Sequence, residues 1–464
     1  MTQLRKRLAS KGASAEHWYI HTPVCCPSRA QLLTGRYFHN VKTPTNTGGC
    51  MHANCDPKSN PDWNDWLFAP HLAKAGYQVG VFGKYLNSYN PVDKPPGVAR
   101  WFANNGGDYL NPTFNDDGKM VKFNASTYAG YSTSVIGNTS LAWIKEQAEK
   151  KTPFMAYVAV KAPHIQDGPG WPVAIPPPWY TEAFEGVTAP RTPNWNVTGH
   201  GHHWLVRSQP PLTDEQAQRS DALYVSRWRA LLAVDDIVTA LCDTLEAAGQ
   251  LSNTYILYTS DHGFQFGQFR MPEGKWNVYE HDIRIPMVIA GPGVTPNSTF
   301  SAMGTNVDVA PTILSLAGVA VPDTMDGRSV AHHVVNADAP DVPRMTRRQL
   351  KVATQQTRTH VLVEYIGLGD VVRYQHLEDA FNNTFRAIRA VDRTKGGLGN
   401  VLYAEFTDAQ TNYNWTHPAQ ERELYDLDTD PFQLNNLWPP SPERAAQLGR
   451  ALDDAYRCRG TDCP

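Results

Sequence analysis

The residues of this 464-residue chain best suited to chemistry form one short run, Cys25-Cys26-Pro27-Ser28-Arg29, which continues to Thr34-Gly35-Arg36. A cysteine thiolate is a nucleophile, and a nearby arginine supplies positive charge that an anion can bind. Two core cysteines before a proline turn would be a simpler explanation, but they would require neither Arg29 nor the Thr-Gly-Arg tail. The run therefore predicts a catalytic site that handles a negatively charged group.

In this run the chain resembles the sulfatase family, whose signature is Cys-x-Pro-Ser-Arg followed by Leu-Thr-Gly-Arg. The resemblance implies that Cys25, and not Cys26, is oxidised to formylglycine by a formylglycine-generating enzyme. A hydrated aldehyde carries two hydroxyls on one carbon, so one can attack sulfur and the other can later expel sulfate. A plain thiolate would have no equivalent route for release. Arg29 and the N-terminus of the following helix would face the anionic ester.

A second stretch, Gly76 to Tyr85, resembles the second sulfatase signature and places Lys84 at the lysine that binds the substrate sulfate. Val79 stands where serine or threonine is usual, and Leu86 stands where many members carry histidine. Leu86 followed by Asn87 is instead similar to the N-acetylglucosamine-6-sulfatase branch of the family. The resemblance therefore favours that branch but leaves open what deprotonates the covalent sulfate intermediate.

Two further matches concern the leaving group and the sulfate. Ala162-Pro163-His164 resembles the family's Pro-His, whose histidine lies beside the leaving-group oxygen, and Gly274-Lys275 matches the second active-site lysine. In the mechanism that the resemblance implies, Lys84, Lys275 and Arg29 neutralise the sulfate oxygens. His164, together with Lys275, protonates the departing alcohol.

The metal site that the resemblance implies is incomplete. Asp261-His262-Gly263 corresponds to the family's metal-binding turn, so calcium is expected on Asp261, His262 and the formylglycine oxygen at Cys25. Family members begin with an apolar strand that ends in Asp-Asp, and nothing before Cys25 supplies it. Since a hard divalent cation takes about six oxygen ligands, three make a poor shell. Either the start of the gene is misplaced, or the chain is a true truncation with a weakened metal site.

The substrate stays open between aryl sulfates and sugar sulfates such as N-acetylglucosamine 6-sulfate. Gly201 to Arg207 is again similar to the glucosamine-6-sulfatase branch, and His203 within it is expected to reach the substrate, with a loop role as the alternative. Two other functions compete with sulfate ester hydrolysis. One is a phosphatase or phosphodiesterase of the same superfold, which would use serine or threonine where this chain has Cys25. The other is an inactive sulfatase-like protein that binds sulfated glycans.

The composition sets limits on the partners. The formal net charge is −3, so the chain has no basic field for nucleic acid or an anionic membrane, and no run approaches the ~20 apolar residues that cross a bilayer. Met1 to Gly12 is polar and lacks the apolar segment of a signal peptide. Six Asn-x-Ser/Thr sequons and seven cysteines nevertheless favour a secreted or lysosome-like compartment. Cys458 with Cys463, and Cys50 with Cys55, are spaced as in small disulfide loops. The sequons begin at Asn124, Asn138, Asn196, Asn297, Asn382 and Asn414.

The pattern of apolar residues predicts an α/β protein. Residues 154–160, 255–259 and 286–290 are typical of buried strands, and 217–248 has the spacing of a helix. Strand, helix and strand in this order favour a mainly parallel sheet flanked by helices, with ligands at the carboxyl ends of the strands. The family resemblance implies the alkaline-phosphatase-like sulfatase fold. We expect a catalytic domain over 1–340, truncated at its N-terminus, and a small α+β domain over 341–464 with strands at 361–365, 386–391 and 401–406 and a helix at 441–456.

Overall fold

The computed structural model describes residues 1–41, 62–87, 89–124, 130–166, 173–352, 358–369, 371–373 and 376–464. The helices in these ranges are α1 Thr2–Arg7, α2 Cys25–Thr34, α3 Phe38–Val41, α4 Trp63–Trp66, α5 Phe68–Lys74, α6 Ser132–Lys150, α7 Trp204–Arg207, α8 Asp214–Ala247, α9 Glu280–Ile283, α10 Val309–Leu316, α11 Ala331–Val334, α12 Arg344–Val352, α13 Ala409–Asn412 and α14 Pro442–Arg457. The strands are β1 Gly12–Ala15, β2 Trp18–Tyr19, β3 Gln78–Lys84, β4 Arg100–Asn104, β5 Thr113–Asp116, β6 Lys119–Lys122, β7 Phe154–Ala159, β8 Ile256–Thr259, β9 Met287–Ala290, β10 Ser298–Phe300, β11 Gly304–Thr305, β12 His360–Tyr365, β13 Val371–Arg373, β14 His376–Asp379, β15 Thr384–Asp392, β16 Gly399–Thr407 and β17 Glu421–Asp426.

The predicted elements of the α/β part are confirmed as β7, β8, β9 and α8. The helix begins earlier than predicted because Thr213 and Gln216 form a capping box. The Thr213 side chain accepts from the Gln216 backbone N–H, and the Gln216 side chain accepts from the Thr213 backbone N–H. These bonds satisfy two donors that a helix N-terminus leaves without partners, so the helix is stable from Asp214.

Two larger sheets and a two-stranded parallel pair of β2 and β11 form the α/β part, and the strand directions of the larger sheets are mixed rather than mainly parallel. One sheet has the order β6-β5-β4-β3-β7 and the other the order β10-β1-β9-β8. β3 is parallel to β4 and β7, but β4, β5 and β6 form an antiparallel meander, and β9 is antiparallel to both β1 and β8. The meander needs only a tight turn at Asp117 and Gly118, both with positive φ, so no crossover helix separates β5 from β6.

A cavity of about 920 Å³ separates the two sheets, and β7 and β8 both line it. Each of these strands is the last in its sheet and pairs on one side only. Both are only partly buried along most of their length, whereas their neighbours β3 and β9 are buried almost throughout. Apolar side chains of α8 and α10 also line this space.

The C-terminal elements confirm the predicted strands and helix as β12, β15, β16 and α14. The sheet order is β12-β15-β16-β17, antiparallel throughout, and α14 packs on it through Leu448 and Leu452. One apolar cluster contains residues from Ala13 to Leu427, so the core is continuous across the predicted boundary at 340/341. The division into 1–340 and 341–464 therefore stays a prediction.

Of the two expected disulfide loops, Cys458–Cys463 is formed. Cys50 and Cys55 lie outside the described residues. Among the helices that the structure describes, none combines the length and the apolar character that a membrane span requires.

Candidate active site

Cys25 is the first residue of α2, and its side chain is buried at the positive end of that helix. Val24 caps the helix in an extended conformation, and Gly35 ends it with a φ of 66°, which favours glycine. Cys25 therefore lies in the first turn of α2, where the positive end of the helix dipole stabilises negative charge. In the described protein this residue is an unmodified cysteine, and its sulfur stands in for the oxygens of a formylglycine hydrate.

Positive groups surround the Cys25 sulfur. His262 Nε2 lies 3.3 Å from it, and the Lys275 ammonium donates to it at 3.7 Å. Burial raises the pKa of the thiol, but Lys275, Lys84 and His262 outweigh this effect and hold it well below its usual range. The site thus stabilises negative charge at the atom that the sequence predicts to be the nucleophile.

Lys84 and Lys275 are 6% and 8% exposed, and both line the cavity between the sheets. Lys84 is the last residue of β3, and Lys275 follows Gly274, whose φ of 128° sets the turn. Within the described ranges, neither ammonium has a carboxylate at ion-pair distance. Since a buried cation without a counter-ion is costly, the pair provides a ready site for an anion.

Arg29 is oriented by two hydrogen bonds rather than left free. Its Nε donates to Asp261 Oδ2 at 2.8 Å, and its Nη1 donates to the backbone carbonyl of Lys84 at 3.0 Å. Although burial raises the pKa of Asp261, Arg29 and His262 hold it well below the usual range of a carboxyl group. Arg29 therefore ties α2 to the carboxyl ends of β3 and β8.

His164 follows β7 and is held in one tautomer. Its Nδ1 lies 2.6 Å from the backbone carbonyl of Ile165, which can only accept, so Nδ1 carries the proton and Nε2 is free to accept one. Burial is the main cause that lowers its pKa to about 4, although a hydrogen bond with Cys25 opposes this. His164 is therefore a neutral imidazole beside Cys25 at neutral pH.

The residues expected to bind calcium lie together but do not complete a calcium shell. Ligand atoms of Cys25, Asp261 and His262 are within 4.8 Å of one another. Asp261 is the one carboxylate in the group, and one of its oxygens already accepts from Arg29. Because calcium takes six to eight oxygen ligands, these described side chains do not fit the ion by themselves.

His203 is the one predicted site residue that the structure does not bring into this cluster. It is 2% exposed, its Nδ1 is 2.9 Å from Glu423 Oε1, and its ring stacks on Phe406 at 3.9 Å. Glu423 also accepts from the Tyr279 hydroxyl. These contacts tie α7 to β17 and favour a structural role for His203.

Two residues near the site escaped the sequence analysis. Asn306 donates to the Ser28 hydroxyl at 3.0 Å and to the Ser260 carbonyl at 3.2 Å, and it thereby joins α2 to the turn that begins at Ser260. Arg227 lines the same cavity from α8. A charged residue on the apolar face of that helix, four residues after Leu223 and four before Leu231, was a signal that could have identified it.

The fold and the cluster define a hydrolase of anionic esters, with an activated residue at a helix N-terminus and buried cations on either side. A sulfatase family model matches residues 1–319. N-acetylglucosamine-6-sulfatase of Bos taurus is 34% identical over the whole chain and 81% of that protein, and an arylsulfatase of Volvox carteri is 29% identical over 99% of the chain and 72% of that protein. The solved structure of BT4656 with D-glucosamine-2-N,6-O-disulfate shares the fold, with a TM-score of 0.71, 24% identity and coverage of 97% and 91%. The chain belongs to the sulfatase family and is a sulfuric ester hydrolase.

Proposed function

We propose that the chain hydrolyses the 6-sulfate ester of an amino sugar through a formylglycine hydrate at position 25. The observation that carries this proposal is the pair of buried ammonium groups, Lys84 and Lys275, which flank Cys25 without carboxylate partners among the described residues. A tetrahedral sulfate between them would supply the missing negative charge. Arg29 fixes the helix that presents position 25.

The reaction can be written with the groups of this chain. One hydroxyl of the hydrate attacks sulfur, the bond between sulfur and the sugar oxygen breaks, and a sulfated hydrate is left on the protein. His164 Nε2 is placed to accept the proton of the attacking hydroxyl and to pass it to the departing sugar oxygen. The second hydroxyl then gives its proton to water as the bond between the hydrate carbon and the sulfate oxygen breaks, so sulfate leaves with the electron pair and the aldehyde is restored. Another water hydrates the aldehyde again. Lys84 and Lys275 stabilise the charge on the sulfate oxygens.

The substrate proposal rests on the relatives. The glucosamine-6-sulfatase of Bos taurus matches the whole chain at higher identity than the arylsulfatase of Volvox carteri. Leu86 and Asn87, which suggest the same branch, follow directly on β3 and its Lys84. An aryl sulfate is the alternative substrate. The other alternative is a protein that binds sulfated glycans without turnover, and the observation that supports it is the single carboxylate in the expected metal group.

A modification experiment tests the mechanism. Peptide mass spectrometry of active protein, produced together with a formylglycine-generating enzyme, should find an aldehyde at position 25. Cys25→Ala should abolish turnover of N-acetylglucosamine 6-sulfate, whereas Cys26→Ala should chiefly perturb packing because Cys26 is fully buried and burial raises its pKa to about 12. Full activity with an unmodified thiol at position 25 would refute the mechanism. Binding of the ester without any turnover by modified protein would favour the glycan-binding alternative.

The proposed location is a secreted or lysosome-like compartment, and the protein is proposed to be a glycoprotein. The asparagines of four sequons, Asn124, Asn138, Asn297 and Asn414, are exposed, and the Cys458–Cys463 disulfide suits an oxidising compartment. Relatives include an extracellular sulfatase homologue of Drosophila melanogaster. Digestion with an endoglycosidase, followed by mass measurement of the secreted protein, tests both statements.

A further inference from the structure

Arg227 is a charged side chain in an apolar setting. It lies on α8, on the face that also carries the buried Leu223, and its guanidinium stacks on the Phe264 ring with Cζ 3.9 Å from the ring centroid. Phe266 lies on the same guanidinium at 5.6 Å. Phe264 follows His262 by two residues, so the stack holds Arg227 beside the cluster around Cys25.

The guanidinium has no polar partner in the part of the chain that the structure describes: no hydrogen bond or ion pair joins it to another side chain or to the backbone. Burial lowers its pKa to about 10, against smaller opposing effects of Tyr109, Asp261, Glu273 and Cys25, so it is charged at neutral pH. Arg29 and Arg358, in contrast, each pair with an aspartate, the partly buried Asp261 and the fully buried Asp308.

Arg227 lines the cavity that also contains Lys84, His164 and Lys275. It reaches this space from α8 and Phe264, near enough to Cys25 for the two groups to interact electrostatically, while Lys275 donates directly to the thiol. A planar guanidinium held against an aromatic face presents its N–H groups as a fork, which matches two oxygens of a sulfate or a carboxylate.

We propose that Arg227 determines specificity by binding a second anionic group of the substrate, distinct from the ester sulfate that is cleaved. The proposal rests on the proposed function of the site. It assigns the enzyme to sugars that carry a further sulfate or carboxylate near the scissile ester. Arg227 then supplies the charge for this group, and Phe264 fixes its orientation.

The test compares two sugars that share the 6-sulfate, glucosamine 6-O-sulfate and glucosamine-2-N,6-O-disulfate. Calorimetry in the Cys25→Ala background should show that Arg227→Met weakens binding of the disulfate by about 10- to 100-fold, as expected for loss of a charge-assisted hydrogen-bonded pair, and binding of the monosulfate less than about threefold. Arg227→Lys, which keeps the charge without the fork, should recover part of the loss. Arg219→Met, which removes an exposed arginine of the same helix that pairs with Glu215, is the matched control and should change neither affinity.

A third sugar, a 6-O-sulfated glucosamine linked to a uronic acid, distinguishes a carboxylate from an N-sulfate as the bound group. Equal weakening of all three sugars by Arg227→Met, or none, would overturn the assignment. Binding decides this question even if no sugar is hydrolysed, whereas turnover by the formylglycine form tests the proposed function separately. If Arg227→Met does not fold, Arg227→Lys is compared with the protein that keeps Arg227. The quantity compared is the affinity for the disulfate divided by the affinity for the monosulfate, and an unchanged ratio excludes bidentate recognition.

Discussion

At the scale of single residues, the described part of the site holds several buried cations, and Asp261 is the one carboxylate there that pairs with a cation at ion-pair distance. Arg29 holds Asp261, and the remaining cations, Lys84 and Lys275, face the position of the nucleophile. Such an arrangement is unfavourable for folding and favourable for an anionic transition state. The same buried charges therefore lower the stability of the fold and stabilise the transition state, and both effects arise at the cavity.

Removal of either lysine should therefore affect catalysis strongly. Lys84→Ala and Lys275→Ala are each expected to lower kcat/KM by about a hundredfold or more, roughly 3 kcal/mol of transition-state stabilisation. Steady-state rates on a sulfate ester provide the measurement. Lys145→Ala is the control because its side chain is exposed and, among the described residues, pairs with Glu149 alone. A loss under about threefold would place the substituted lysine outside the site.

A second residue-scale prediction concerns stability. Glu364 on β12 accepts from His21 Nε2 at 2.7 Å and from His39 Nδ1 at 3.0 Å, and all three are buried or nearly so. Glu364→Gln would leave the histidines without their counter-charge, and we expect a loss of about 3–5 kcal/mol in the free energy of unfolding. Glu146→Gln, at an exposed pair with Lys150, should change it by less than about 0.5 kcal/mol. Denaturant titration of both variants makes the comparison, and equal effects would show that the buried group does not stabilise the fold.

At the scale of elements, this buried group joins β12 to the segments on either side of α2, and its strength depends on pH. His39 lies in α3, and Glu364 raises its pKa above 6.5 although burial opposes this. The pKa of Glu364 is held well below 4.5 by His39 and His21, again against burial. The contribution of His39 to the free energy of unfolding is complete below the pKa that it has in the unfolded chain. This contribution is lost as the pH rises through its pKa in the folded protein. The contribution of Glu364 to the free energy of unfolding is complete above the pKa that it has in the unfolded chain. This contribution is lost as the pH falls through its pKa in the folded protein.

The two contributions overlap between about pH 4.5 and 6.5. We therefore predict that the difference in unfolding free energy between the unmutated chain and Glu364→Gln is largest near pH 5.5 and smaller at pH 8. Denaturant titrations at these two pH values measure it. A difference that grows steadily up to pH 8 would contradict the assignment of the raised pKa to His39.

The sequence predicted the elements better than their arrangement. Strands with uninterrupted apolar runs, such as β7 and β9, and the long amphipathic α8 were identified because burial follows directly from side-chain type. The family resemblance predicted a single site that contains Cys25, Lys84, His164 and Lys275, because these residues match family motifs in the same order along the chain. The sequence did not predict the mixed strand directions, which depend on pairing between distant segments. Nor did it predict the packing of His203 against Glu423, since a histidine in a loop looks the same whether it faces a cavity or a core.

At the scale of the whole molecule, the main feature is the two sheet edges, formed by β7 and β8, that face the cavity. Their backbone groups on the cavity side have no strand partner in the described residues, and a strand pairing there would satisfy them. We predict that a longer form of the chain, with an apolar strand ending in Asp-Asp before Met1, has a Tm several degrees higher and a faster, chelator-sensitive sulfatase rate. The control extension carries the same residues with two prolines in the strand, which cannot pair. Equal Tm and equal activity of all three forms would refute the prediction.

Burial of the Cys25 run has a consequence for biosynthesis. Cys25 and Arg29 are 3% and 9% exposed, so a converting enzyme that must bind both has no access once α2 has packed. In the proposed formylglycine mechanism, oxidation and folding of each new chain therefore compete in time, and the outcome is permanent for that molecule. A preparation would be a mixture of fully active and wholly inert copies, in a ratio set while the chains were made. Slower folding during expression would raise the active fraction, and no later treatment of the folded protein would.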